Sequence, residues 1–350
     1  MDPLKIDTVK LSDAGDALVI IDQTLLPNEV RYLSLTATED IWEAIRALRV
    51  RGAPAIGVAA AFGAYLAAYY APDAELEGRF LAACDYLATS RPTAVNLFWA
   101  LDRMRAAYGR VKALPPADIR AALRAEAQAV MDEDIEISRS IGRYGLSLLR
   151  PGMGILTHCN AGTLATAKYG TALAPVYAAI ERGLPGLRVY CDETRPLLQG
   201  ARLSAFEMVS AGVDTTLLCD NMASSLMKSG KVDIIFVGCD RVARNGDAAN
   251  KIGTSGVAIL AAHYGIPFYV CAPSSTIDGA IASGEDIPIE FRPPEEVTEL
   301  WYEKRMAPEG VGVYNPAFDV TDAGLITGII TERGLVRAPF EEGFRALGLV

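Results

Sequence analysis

Residues 232–240 read Val-Asp-Ile-Ile-Phe-Val-Gly-Cys-Asp, an apolar, β-branched run that ends in a cysteine and an aspartate. So short and apolar a run is typical of a strand buried on both faces of a parallel sheet. Similar runs occupy residues 154–159, 187–192, 215–220 and 267–271, and helical stretches separate them. This alternation predicts an α/β fold with a doubly wound parallel sheet, whose ligands bind beyond the carboxyl ends of the strands.

The first part of the chain has a different pattern. Two β-prone runs within residues 18–35 are broken by Pro27-Asn28, which predicts a hairpin. Helical patterns follow at residues 40–45, 53–71, 75–89, 93–108 and 117–149. We therefore expect a smaller N-terminal domain of helices and a small β-sheet at residues 1–150. The α/β domain is expected at residues 151–350.

Composition limits the classes of partner. The chain has 350 residues, of which 51% are hydrophobic, so its core needs neither metal nor disulfides. Its net charge of -10 disfavours nucleic acid and anionic membranes, so local basic residues must hold any anionic ligand. The first residues lack a basic-then-apolar leader, and the apolar stretch 53–70 contains glycine and ends in tyrosines. We expect a cytoplasmic protein with reduced cysteines.

Cys159 is a candidate base or nucleophile. It ends a predicted strand and precedes a segment, predicted to be helical to about residue 183, whose N-terminus would lower the pKa of the thiol. A cysteine at a strand end can equally be a small apolar core residue. Other cysteines occupy similar positions, namely Cys191, Cys219, Cys239 and Cys271. The residue pattern leaves both interpretations open.

Asp240 is a candidate general acid. It follows an intensely apolar strand, where partial desolvation would raise the pKa of its carboxyl group. A helix cap or a structural partner of an arginine is an equal alternative. Asp192 and Asp220 occupy equivalent places after other strands, so position alone does not select Asp240.

Three basic positions are candidate phosphate contacts. Arg51 and Gly52 precede a proline suited to a first helical turn, so a guanidinium and free amides would converge there. Lys251 and Arg91 also precede predicted helices, although each position could be a plain helix start. The sequence lacks both phosphate-binding glycine motifs of nucleotide sites, and it lacks Cys-x-x-Cys. We expect no nucleotide cofactor and no metal, and structural roles for His158 and His263.

Nine short motifs occur in order along nearly the whole chain. They are 51–57 (Arg-Gly-Ala-Pro-Ala-Ile-Gly), 91–97 (Arg-Pro-Thr-Ala-Val-Asn-Leu), 157–162 (Thr-His-Cys-Asn-Ala-Gly), 192–202 (Asp-Glu-Thr-Arg-Pro-Leu-Leu-Gln-Gly-Ala-Arg), 237–241 (Val-Gly-Cys-Asp-Arg), 245–247 (Asn-Gly-Asp), 250–253 (Asn-Lys-Ile-Gly), 287–290 (Ile-Pro-Ile-Glu) and 314–320 (Tyr-Asn-Pro-Ala-Phe-Asp-Val). Together these motifs resemble the methylthioribose-1-phosphate isomerase family.

The resemblance implies conversion of 5-methylthioribose 1-phosphate to 5-methylthioribulose 1-phosphate in methionine salvage. It also implies a homodimer, no cofactor and a Rossmann-like C-terminal domain. The family's catalytic residues fall on Cys159 and Asp240. Its phosphosugar contacts fall on Arg51, Gly52, Ala53, Arg91, Gln199, Asn250 and Lys251, of which Gln199 rests on the resemblance alone. Cys239 stands where a small residue such as alanine is expected.

The phosphate ester at the anomeric carbon prevents ordinary ring opening to an aldehyde. In the proton-transfer hypothesis, Asp240 protonates the ring oxygen and the Cys159 thiolate removes the C2 proton, giving an enediol-type intermediate. A direct hydride shift from C2 to C1 is the competing route. Alternative functions are a ribose-1,5-bisphosphate isomerase, which needs a second cationic subsite, and a non-catalytic regulatory scaffold. 5-Deoxyribose 1-phosphate is an additional candidate substrate.

Overall fold

The computed structural model describes residues 6–92 and 94–350, which form two compact units. The N-terminal unit contains the described residues up to Ser138 together with Thr163–Gly170. The C-terminal unit contains Arg139–Gly162 and Thr171–Val350. The two units interleave along the chain between residues 139 and 171. The predicted division into domains 1–150 and 151–350 stays a prediction.

The N-terminal unit combines a three-stranded antiparallel sheet with helices. Its strands are β1 (Val9–Leu11), β2 (Leu18–Ile21) and β3 (Tyr32–Leu35). Its helices are α1 (Thr38–Arg46), α2 (Ala53–Tyr70), α3 (Leu76–Ala88), α4 (Val95–Val111) and α5 (Pro116–Leu146), the last of which ends within the C-terminal unit. The predicted hairpin is confirmed by the pairing of β2 with β3. Each predicted helix is present, with ends shifted by a few residues.

Helix α2 is the centre of the N-terminal core. It is long and apolar enough to cross a membrane, yet 72% of it is buried inside the protein, as expected for a core helix. Its small residues let neighbouring helices approach closely: a Cβ on Gly57 would lie 3.0 Å from the carbonyl oxygen of Asn96. Gly63 likewise faces Leu87 and Ile41. The alanine and glycine content of α2 thus reflects close helix packing.

The C-terminal unit has eleven strands and six α-helices of its own among the residues that the structure describes. The strands are β4 (Gly154–Thr157), β5 (Arg188–Asp192), β6 (Asp214–Leu218), β7 (Ile234–Val237), β8 (Arg241–Ala243), β9 (Ala248–Lys251), β10 (Phe268–Cys271), β11 (Ile277–Asp278), β12 (Phe318–Thr321), β13 (Gly328–Thr331) and β14 (Gly334–Val336). The complete helices are α6 (Ala174–Glu181), α7 (Ala205–Ser210), α8 (Ala223–Lys228), α9 (Thr254–Tyr264) and α11 (Phe340–Ala346), with a single turn, α10 (Glu295–Thr298).

The main sheet has the strand order β14-β13-β10-β7-β4-β5-β6. All neighbouring pairs are parallel except β13 and β14, so the fold is α/β with a mixed sheet. The predicted strands all lie in it, and β4, β7 and β10 are fully buried, as their apolar sequences indicate. A smaller sheet, in the order β11-β8-β9-β12, follows the carboxyl end of β7.

Candidate active site

The candidate active site of the C-terminal unit is built on two neighbouring strands, β4 and β7. From β4 the chain adds β5 and β6 on one side and then returns to β7 on the other side. Open α/β sheets bind ligands beyond the carboxyl ends of strands at such a reversal. Cys159 follows β4 and Asp240 follows β7. A Cβ on Gly238 would lie 2.5 Å from that of Ala161, so the loops that carry the two candidates touch.

Cys159 has a strained backbone conformation. Its φ of 65° lies in the left-handed region, which costs a non-glycine residue about 1–2 kcal/mol. The amide of Cys159 donates to Thr194 Oγ1 at 2.8 Å, and its carbonyl accepts from Ser204 Oγ at 2.7 Å. Such strain is concentrated at functional sites and persists where surrounding contacts enforce it. Among the six cysteines, all of which lie in the described residues, only Cys159 has a positive φ.

The helix expected directly after Cys159 is absent from this part of the described chain, so that prediction was wrong. A single 3-10 turn (Thr163–Ala165) and irregular backbone come first, and α6 begins only at Ala174. Tyr169 and Gly170 both have positive φ, which interrupts helical geometry. The dipole of a long helix therefore does not account for thiol reactivity at Cys159. The left-handed backbone conformation of Cys159 is the feature that distinguishes it from the other cysteines.

The sister cysteines have environments that favour the neutral thiol. Burial raises the pKa of Cys191, of Cys239 and of Cys271. The nearby carboxylate of Glu193 raises the pKa of Cys219. A thiol with a raised pKa is a poor nucleophile and a poor source of thiolate. These surroundings argue against a thiolate role for the other strand-end cysteines, and the role of Cys159 stays a prediction.

Asp240 lies on the exposed rim beyond β7. Its amide donates to the carbonyl of Ala249 at 2.9 Å, which ties it to β9. The chain leaves the buried strand two residues earlier, at Gly238, and the partial desolvation expected for the Asp240 carboxyl group stays a prediction. The guanidinium of the neighbouring Arg241 lies 3.4 Å from the carboxylate of Asp278.

The segment Asn250-Lys251 lies next to this rim at the end of β9. Asn250 is buried and donates to Thr254 Oγ1 at 3.0 Å. Lys251 Nζ donates to the carbonyl of Ala317 and lies over the ring of Phe318, which fixes the position of the cation. The following turn contacts the Cys159 loop, because the His158 ring lies 2.8 Å from the carbonyl oxygen of Ile252.

Gln199 is buried, and its Oε1 has no hydrogen-bond partner. An unsatisfied buried carbonyl is unusual and requires an explanation, such as a ligand that donates to it. The loop that carries Gln199 is close to Thr194, which accepts the hydrogen bond of the Cys159 amide, because Leu198 donates its own amide to the carbonyl of Thr194. Backbone and side-chain contacts thus connect the loops of Cys159, Gln199, Asp240, Asn250 and Lys251 within one unit.

The remaining predicted contacts belong to the N-terminal unit. Arg51 and Gly52 precede α2, which starts at Ala53 with a proline in its first turn, as predicted. Gly52 has a φ of 89°, and a Cβ there would lie 2.3 Å from the carbonyl oxygen of Ala165, so only glycine fits. Arg91 precedes α4 and is partly exposed, while Thr93 of the same motif lies outside the described residues.

His158 forms a polar cluster with the buried Asp192 and the half-buried Asp220, in which one possible metal-ligating atom from each side chain lies within 4.8 Å of the other two. Both ring nitrogens of His158 have partners, at Asp192 Oδ2 and at the carbonyl of Ile252. Burial opposes protonation of His158, but the hydrogen bond and charge of Asp192 raise its pKa. Asp220 accepts from the amides of Thr194 and Arg195. Hydrogen bonds account for the His158 ring and for Asp220, whereas Asp192 Oδ1 is buried without a hydrogen-bond partner, and the predicted lack of a metal stays a prediction.

Sequence reasoning missed the residues that support Cys159. Thr194 lies within one quoted motif, and Asn160 lies within another, but nothing in the local sequence indicates their partners. Ser204 and Glu207 lie outside the quoted motifs. The contacts that reveal them span 35 to 47 residues.

Comparison with known proteins agrees with the fold and with the motifs. Residues 49–338 match the model of the initiation factor 2 subunit family. A methylthioribose-1-phosphate isomerase of Symbiobacterium thermophilum is 66% identical over 99% of this chain and 97% of its own. A 5-deoxyribose 1-phosphate isomerase of Petrotoga mobilis is 57% identical over 97% of this chain and 98% of its own. The crystal structure of 5-methylthioribose 1-phosphate isomerase from Pyrococcus horikoshii OT3 has a TM-score of 0.94 at 44% identity, covering 99% of this chain and 97% of that one.

The α/β fold and the matched segment define a member of the initiation factor 2 subunit family. Within it, the identities over nearly the whole chain confirm the membership predicted from the nine motifs: the chain belongs to the methylthioribose-1-phosphate isomerase family.

Proposed function

We propose that this chain is an aldose-ketose isomerase that converts 5-methylthioribose 1-phosphate to 5-methylthioribulose 1-phosphate in methionine salvage. The names of its similar relatives support this reaction. The observation that carries the proposal is the placement of Cys159, in an enforced left-handed conformation, and Asp240 on touching loops beyond β4 and β7. The relative named for 5-deoxyribose 1-phosphate supports that sugar as a second substrate.

In the proposed mechanism, Asp240 is the general acid and Cys159 is the base. The phosphate ester blocks ring opening, so Asp240 protonates the ring oxygen as the ring C–O bond breaks. The Cys159 thiolate removes the proton from C2. The resulting enediol-type intermediate takes a proton at C1 while its C2 hydroxyl loses a proton to water, which gives the ketone. Exposure of Asp240 lets bulk water restore its proton after each turnover. The buried Gln199 Oε1 can accept a hydrogen bond from a sugar hydroxyl.

Phosphate binding is assigned to cationic and amide groups. In the C-terminal unit, Lys251 is held in place by Ala317 and Phe318, and Asn250 precedes it. In the N-terminal unit, the predicted contacts are Arg51, Gly52, Ala53 and Arg91. A guanidinium beside free helix amides is a suitable anion site.

The wider assignments of the sequence analysis are proposed with this function. The C-terminal unit is taken as a Rossmann-like doubly wound domain, since the strand order reverses at β4 and six of the seven strands are parallel. The protein is proposed to be a cytoplasmic homodimer that acts on a small phosphorylated sugar, without a cofactor and without nucleic-acid or membrane partners.

Isomerase assays on the purified chain test the function. We expect turnover of 5-methylthioribose 1-phosphate, slower or comparable turnover of 5-deoxyribose 1-phosphate, and little with ribose 1,5-bisphosphate. Cys159→Ser and Asp240→Asn should each lower kcat by about 10²- to 10⁴-fold, the usual contribution of a general acid or base. The matched controls Cys219→Ser and Asp214→Asn should retain wild-type rates. Absence of turnover by the wild type would leave the regulatory scaffold as the better assignment.

Isotope exchange separates the two routes of hydrogen transfer. Substrate carrying deuterium at C2 should lose most of its label to water if a thiolate removes the proton. Full retention of deuterium at C1 would instead count against the proton route and against Cys159 as the base, and it would favour the hydride shift.

A further inference from the structure

Two hydrogen bonds flank Cys159 and fix both of its peptide groups. Thr194 Oγ1 accepts from the Cys159 amide, and Ser204 Oγ donates to the Cys159 carbonyl. Together these bonds restrain both backbone dihedrals of the residue. The direction of the Cys159 side chain is therefore determined by two hydroxyl groups that lie far from it in sequence.

Thr194 is itself anchored. Its hydroxyl donates to the carbonyl of Asp192 at 3.1 Å, so the lone pair that faces Cys159 is available as an acceptor. Its amide donates to Asp220 Oδ1 at 2.7 Å. Thr194 also has a positive φ, of 64°, so its own conformation is one that the surrounding bonds enforce.

Ser204 is anchored by a buried network of polar side chains. Asn160 donates from Nδ2 to Ser204 Oγ at 3.2 Å and to Glu207 Oε1 at 2.8 Å. Tyr177 donates its hydroxyl to the other Glu207 oxygen at 3.0 Å. Glu207 is 1% exposed, and a buried carboxylate held by donors from two elements resists displacement. The network therefore gives Ser204 a fixed hydroxyl direction.

We propose that Thr194 and Ser204, with Glu207 behind them, are positioning residues that hold Cys159 in its left-handed conformation and so aim the thiol at the substrate. The proposal rests on the proposed function, since aiming matters to turnover only if Cys159 takes part in it. Each of the two buried hydrogen bonds contributes about 1 kcal/mol. Together they offset the cost of the left-handed backbone conformation of Cys159. Loss of one bond lets Cys159 relax, and a misplacement near 1 Å lowers a rate by about 10²-fold.

Thr194→Val tests the proposal, because valine keeps the shape of threonine and removes the acceptor. Thr194→Ser keeps the hydroxyl and is the rescue variant. Thr215→Val is the matched control, since the Thr215 hydroxyl also donates to a carbonyl two residues earlier, at Val213. Ser204→Ala is an independent second variant on the other side of Cys159. Each protein is assayed for kcat and KM with 5-methylthioribose 1-phosphate, and for iodoacetamide alkylation of Cys159 by peptide mass spectrometry.

We expect Thr194→Val and Ser204→Ala to lower kcat by about 10- to 100-fold with KM within about twofold of wild type. Both should change the alkylation rate of Cys159 at least severalfold, whereas Thr194→Ser and Thr215→Val should match wild type. Equal kcat and alkylation in Thr194→Val and Thr215→Val would overturn the proposal, as would a failure of serine to rescue. If Thr194→Val does not fold, Ser204→Ala decides alone. If the wild type has no isomerase activity, the proposed function fails, and the alkylation rates still decide whether the hydroxyls position the thiol.

Discussion

The left-handed conformation of Cys159 predicts that its best replacement for stability is glycine. Cys159→Gly and Cys159→Ala both remove the thiol, so both should be inactive. They differ in one atom, the Cβ that makes a φ of 65° unfavourable. Cys159→Gly should therefore be the more stable of the two proteins.

The size of the difference follows from two opposing terms. Removal of the Cβ relieves about 1–2 kcal/mol of strain in the folded state. Glycine also gives the unfolded chain more freedom, which costs about 0.5–1 kcal/mol. The net gain of about 0.5–1 kcal/mol corresponds to a rise in Tm of roughly 1–4 °C for a domain of about 150–250 residues.

Differential scanning calorimetry of the two variants measures this gain. Cys191 supplies the control pair, since it lies in the buried strand β5 where glycine only weakens the strand. Cys191→Gly should melt below Cys191→Ala, the reverse of the order at position 159. If Cys159→Gly melts at or below Cys159→Ala, the backbone of Cys159 is not strained and the reasoning about its positioning is refuted.

Two further predictions concern the surroundings of the Cys159 loop. Because Asp192 raises the pKa of His158 in the folded state, the resulting stabilisation is complete below the ordinary histidine pKa and is lost as the pH rises through the raised value. The free energy of unfolding of the wild type should therefore exceed that of His158→Gln by more at pH 6 than at pH 9. The extra difference is about 1.4 kcal/mol for each tenfold gain in the proton affinity of the ring. Urea titrations that give equal differences at both pH values would contradict this prediction. Gly162→Ala should destabilise by about 1–3 kcal/mol, since its Cβ would lie 2.1 Å from Glu207 Oε2. Gly256→Ala, where nothing lies within 4 Å, should be neutral or stabilising in the same titration, and equal losses in both variants would exclude the clash as the cause.

The sequence predicts the main sheet well because its central strands are buried on both faces. β4, β7 and β10 are continuous apolar runs, and such runs have few alternative structures. β13 belongs to the same sheet but was not predicted, since its sequence, Gly-Ile-Ile-Thr, is short and starts with glycine. The strands of the smaller sheet are two to four residues long, and pairing rather than pattern defines them.

The candidate site is predictable in its residues and not in its geometry. The ordered motifs select Cys159 and Asp240, whereas the strained backbone of Cys159 depends on hydroxyl groups 35 and 45 residues away. The predicted helix after Cys159 failed for a related reason. Tyr169 adopts a positive φ that its residue type does not indicate, and helical propensity gives way to tertiary contacts there.

The close approach of Gly238 to Ala161 links two positions that are 77 residues apart in the chain. Because a single added methyl group at position 238 would overlap the methyl group of Ala161, the two loops share a fixed volume. A larger side chain at position 238 is therefore acceptable only with a compensating loss at position 161. A library that seeks new sugar specificity at this rim must vary Gly238 and Ala161 as one site, since independent changes separate the loop of the thiol from the loop of the acid.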